Sequence, residues 1–96
     1  MSENTIGTNR KFVDEAFLNQ AVLSAQKHLA FRLNQKGRGS FASRHEIYGV
    51  IAEEVHKLSH AIEANEPLEN IQHELRDISV AALFGDACIE ARTLDW

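Results

Sequence analysis

The sequence predicts an all-α protein, an antiparallel helical bundle completed by oligomerisation, and three observations lead there. Apolar residues recur at intervals of three and four along three long segments. The stretches between them are short and hold Gly, Ser, Asn or Pro, and apolar and polar residues nowhere alternate as they do in a strand. The apolar faces are also broad enough to need more than one neighbour, which a chain of 96 residues supplies most simply by pairing with itself.

The first helix is expected from about Lys11 to Asn34. Phe12, Ala16, Leu23 and Ala30 lie on one side of it, and Leu18, Val22, Leu29 and Leu33 extend that face. The following QKGRGSFASR contains glycines, serines and basic residues and reads as a connection. Ser43 and Glu46 have capping-box spacing, which starts the second helix near Arg44 and carries it to about Ala64. The NEP turn then breaks the chain, and Pro67 is placed in the first turn of a third helix that continues to about Ala91. Ile71, Leu75, Ile78, Ala82, Gly85 and Ile89 form one stripe of this helix, with Val80, Ala81, Phe84, Ala87 and Cys88 beside it. No repeat or second domain is evident, so 1–96 is one helical domain.

One residue breaks the pattern of the second helix. Ile47, Val50, Ile51, Val55, Leu58, Ala61 and Ile62 fill an arc of roughly 140°, and Glu54 falls near its middle. A carboxylate buried there without a partner costs several kcal/mol or gives up its charge. On the third helix Glu74 and Asp77 are three apart and face the same way, so they repel unless neutralised. If the second and third helices are antiparallel, Glu54 reaches the same point. The result is an oxygen-rich site suited to a hard cation, magnesium or alternatively manganese.

Composition limits the alternatives. With 44% hydrophobic and 25% charged residues the chain is ordinarily globular, which argues against disorder and fibrous repeats. A formal charge of −4 argues against nucleic-acid binding, which needs a basic footprint. Cys88 is the single cysteine, so an internal disulfide or thiolate zinc site is excluded, and a buried thiol is expected. No apolar run approaches the roughly 18 residues of a membrane span, and MSENTIGTNR lacks a signal-peptide core. The expectation is a cytoplasmic protein that engages no membrane.

EEVHK at Glu53–Lys57 and ELRD at Glu74–Asp77 resemble the paired EExxE and ExxD signatures of the MazG-like all-α nucleoside triphosphate pyrophosphatases. The likeness covers order, spacing and apolar framing from Arg44 to Ile89, about half the chain. It implies hydrolysis of a nucleoside triphosphate to monophosphate and pyrophosphate by water attack at the α-phosphorus, with magnesium neutralising the phosphates. By the resemblance Glu54, Glu74 and Asp77 are metal ligands. Glu53 is the candidate catalytic residue, orienting water or supporting the ligands from behind. Lys36, Arg38, Arg44 and Lys57 are the candidate phosphate contacts. The chain departs from the family at the last acid of EExxE, where Lys57 stands instead.

That departure keeps a second function open. Lys57 places an ammonium where a cation would bind, which suits an ion-paired core in an inactive helical oligomer, acting as a nucleotide-binding or protein-interaction module. Arg32 and Arg44 are further candidate partners for the acids. A separate zinc-type site from His56 and His60, flanked by Glu53 and Glu63, has the right residue types but lacks HExxH and lies on the polar face. His45 and His73 read as surface or polar-network residues. The expected assembly is a homodimer or homotetramer.

Overall fold

The computed structural model describes residues 10–96, and these form three helices: α1 (Glu15–Lys36), α2 (Arg44–Glu63) and α3 (Leu68–Glu90). The fold is all-α, with no strand among the described residues. Residues 1–9, which carry most of the segment read as lacking a signal-peptide core, lie outside the description.

Each helix boundary has a local cause. α1 starts later than the periodicity implies because Asp14 takes an extended conformation, and its carbonyl accepts the N–H groups of Phe17 and Leu18. It runs on to Lys36 and stops where Gly37 adopts φ 82°, ψ −172°, a backbone region that glycine alone enters without strain. α2 begins where the capping box places it. The Ser43 hydroxyl accepts the Glu46 N–H at 3.2 Å, but the Glu46 carboxylate returns to the Ala42 N–H at 2.6 Å, one residue upstream of the usual partner. The same edge is tied to the C-terminal segment, since Asp95 N–H donates to Ala42 O at 2.6 Å and Arg44 N–H to Trp96 O at 3.3 Å. Asn65, at φ 56°, turns the chain after α2, a conformation asparagine tolerates better than most residues. Pro67 then sits just ahead of α3 rather than inside its first turn.

α2 and α3 form an antiparallel hairpin. Ile47 near the start of α2 meets Gly85 near the end of α3, and Glu54 meets Glu74 and Asp77 further along. A Cβ at Gly85 would stand 3.1 Å from Ile47 Cγ2, so glycine is what permits this approach. α1 packs on α3 alone, and in the same direction: His28 reaches Asp77, while Leu29 and Leu33 face Phe84 and Cys88 across a cavity.

The interior is small. Ser43, Ala61, Val80, Ala81, Gly85 and Cys88 are buried, and among the described residues no large side chain is fully enclosed. Cys88 is the buried free thiol its surroundings predicted. The long apolar face expected on α1 is covered only in its second half, through Ala25, His28, Leu29, Arg32 and Leu33. Phe12, Leu18, Val22 and Leu23 are exposed, with Phe12 at 84%. On α3 the second stripe supplies most of the core, whereas Leu75, Ala82 and Ile89 of the first are exposed. The physical reason is that α1 and α2 do not touch each other, so each buries only the part of its face that α3 can reach. No helix among the described residues is long and apolar enough to cross a membrane.

Candidate metal centre

The antiparallel hairpin gathers Glu54 from α2 with Glu74 and Asp77 from α3, and one oxygen from each lies within 4.8 Å of the others. Glu54 owes its place to the apolar arc that turns the face of α2 inward, and Glu74 and Asp77 share a face because a turn of helix separates them. The Glu54 and Asp77 side chains retain only 12% and 10% exposure, so water does little to relieve their repulsion.

Protein donors approach the cluster unevenly. Asp77 is the best supplied: its Oδ1 accepts from His28 Nε2 at 2.6 Å and from Arg32 at 3.3 Å, and His73 Nε2 stands 3.5 Å from Oδ2. Lys57 Nζ lies 3.8 Å from Glu54 Oε1, too far for a hydrogen bond, and its side chain is half exposed. Lys57 is therefore not the buried partner that an ion-paired core would need. Among the described residues, Glu54 Oε1 and Glu74 Oε1 are buried and have no hydrogen-bond partner, and Arg32 Nε is likewise orphaned. Buried carboxylate oxygens without donors are costly, and they are also the hard oxygen ligands that magnesium or manganese takes. The residues present fit such an ion.

The remaining candidates fall elsewhere. Glu53 is exposed on α2 beside Glu54. Lys36 is exposed at the end of α1, and Arg44 is exposed at the start of α2, about 15 Å of helix from Glu54. Arg38 lines a cavity of about 340 Å³ with Leu29, Leu33, Phe84 and Cys88, roughly two turns along α3 from Asp77. Of the four proposed phosphate contacts, only Lys57 stands at the carboxylates. His56 and His60 are exposed and share a shallow cavity of about 340 Å³ with Lys57, Ala61, Glu66 and Glu74. Among the described residues, Glu54, Glu74 and Asp77 are the one set of three ligating groups this close together.

His28 was missed in the sequence. The available signal was the same one that exposed Glu54: His28 and Arg32 are polar residues one turn apart, interleaved with Leu29 and Leu33 on the face that packs. No family model, curated protein or solved structure matches this chain.

Proposed function

We propose that this protein is a magnesium-dependent nucleoside triphosphate pyrophosphohydrolase of the MazG-like kind, working as a homodimer or homotetramer. One observation carries the reading: three carboxylates from two helices converge within 4.8 Å, and two of them keep buried oxygens that no donor among the described residues satisfies. A bound magnesium ion would neutralise phosphate charge there and lower the pKa of the attacking water. Glu54, Glu74 and Asp77 would hold that ion. Glu53, one position from Glu54 and open to solvent, would accept the proton of the water as it attacks the α-phosphorus. Lys57, at the rim, would offset charge on the departing pyrophosphate.

The oligomer follows from the uncovered surface. Phe12 is exposed just ahead of α1, Phe17, Val22 and Phe31 along it, Val55 and Ile62 along α2, and Leu75 and Ile89 along α3, too much for a stable isolated chain with so small a core.

A second reading has its own support, because Arg32 and His28 already bond Asp77. In it the acids are an ion-paired junction in an inactive helical oligomer that binds nucleotides or another protein. Magnesium titration combined with a pyrophosphate-release screen over canonical and modified nucleoside triphosphates separates the two. Magnesium binding with pyrophosphate release supports the enzyme. A metal-indifferent oligomer that leaves every nucleotide intact establishes the second reading.

A further inference from the structure

α1 contributes no buried residue to the fold, yet two of its side chains converge on one oxygen of the carboxylate cluster. We propose that α1 sets the metal occupancy of the site through opposed effects on Asp77. His28 is a positioning residue that orients the carboxylate toward the cation, and Arg32 is the counter-ion of the metal-free site, which the cation must outcompete. The inference rests on the magnesium reading above and adds a control that the acidic motifs do not contain.

A carboxylate only accepts hydrogen bonds, so at 2.6 Å the His28 Nε2 carries the proton and donates to Asp77 Oδ1. This bond fixes the rotation of the carboxylate and leaves Oδ2, where His73 approaches only to 3.5 Å, as the less engaged oxygen. Partners that orient a ligand from behind are worth about 10- to 100-fold in metal affinity. The imidazole needs only one N–H to do this.

Arg32 differs because its guanidinium is permanently charged. Its contact with the same Oδ1 is longer, 3.3 Å, and its Nε is buried without an acceptor. The group is thus poorly satisfied by hydrogen bonds, and its main effect on the cluster is electrostatic. While the site lacks an ion, that charge relieves the crowding of three carboxylates. Once a divalent ion arrives, the same charge opposes it at close range in a poorly hydrated setting.

The two residues should therefore shift metal affinity in opposite directions. A purely structural role for α1 would move both the same way. Manganese serves as the probe, with free Mn²⁺ measured by electron paramagnetic resonance and stability by melting in chelator. His28→Ala is expected to weaken Mn²⁺ binding about tenfold or more and to alter the spectrum of the bound ion, with His28→Gln, which restores an N–H donor, recovering part of both. Arg32→Met, which keeps the apolar stem, is expected to tighten binding several-fold while lowering the metal-free melting temperature. Arg32→Gln provides a second neutral variant if the first does not fold. Wild-type affinity and spectrum in His28→Ala, or weaker binding in both Arg32 variants, overturns the proposal. Asp77→Asn tells the two failures apart. If it abolishes binding while the α1 variants are silent, only this inference falls. If it binds as wild type does, or if wild type binds no Mn²⁺, the magnesium reading falls and this inference with it.

Discussion

Lys57→Glu introduces the acid that the EExxE pattern it resembles would carry at this position, and its consequences can be sized from the structure. The wild-type ammonium stands 3.8 Å from Glu54 Oε1, and the Lys57 side chain is 52% exposed, so the interaction belongs with solvent-screened pairs. Such pairs contribute about 0.2–1 kcal/mol, and replacing attraction by repulsion roughly doubles the effect. The metal-free variant should therefore lose about 1 kcal/mol, a fall of roughly 4–8 °C in melting temperature for a domain this small. Magnesium should reverse the sign. Two units of charge change beside a divalent ion at about 6 Å give about 3 kcal/mol even at the dielectric constant of water, and salt reduces this by about half, leaving roughly tenfold tighter binding. Isothermal titration with magnesium, together with melts of wild type and variant with and without the ion, reads both quantities. Four identical melting temperatures would show that Lys57 takes no part in the cluster. Weaker magnesium binding in the variant would refute the placement of the cation between these carboxylates.

Replacing Glu74 by Gln and Asp77 by Asn together should reduce magnesium affinity at least tenfold while the metal-free fold persists, since the change removes charge from a cluster with orphaned oxygens; calorimetry and circular dichroism check the two halves. Ser43→Ala should cost about 1 kcal/mol in a denaturant melt, because it removes the cap that accepts the Glu46 N–H, and no change would mean that the backbone alone fixes the start of α2. Light scattering at micromolar concentration should give a dimer or larger, whereas a monomer would require the exposed residues Phe12, Phe17 and Val22 to be stable in water uncovered.

The parts of this molecule that were legible in the sequence are those fixed by short-range rules. Ser43 and Glu46 placed the start of α2 near Arg44, where it is found, because capping is a matter of three positions. Glu54 stood out because a carboxylate within an apolar arc violates the periodicity around it, and the short turn through Asn65 made its meeting with Glu74 and Asp77 a geometric consequence. The contact of His28 with Asp77 spans 49 positions and depends on how α1 lies across α3, which no local pattern encodes. The extent of α1 coverage was hidden for a related reason. An amphipathic stripe states that something must cover it, and the same residues serve whether the cover is α3 or another copy.

These two long-range features are linked through α1. Its first half is uncovered by the described residues, while its second half carries the donors that bond Asp77. A helix that buries no residue of its own is held weakly by one neighbour, since burial of apolar area supplies most of the docking free energy. In the proposed oligomer, a second copy covering Phe12, Phe17 and Val22 would hold α1 in place, and with it the His28 and Arg32 contacts. All three carboxylates come from the hairpin, but only Asp77 takes its hydrogen bonds from α1 among the described residues, so Glu54 and Glu74 need no such help. Dissociation should then affect the site unevenly, loosening the Asp77 side while Glu54 and Glu74 stay together. Metal affinity that falls on dilution in parallel with the loss of the oligomer would bear this out, and affinity that stays constant across dissociation would show that α3 alone holds α1 against Asp77.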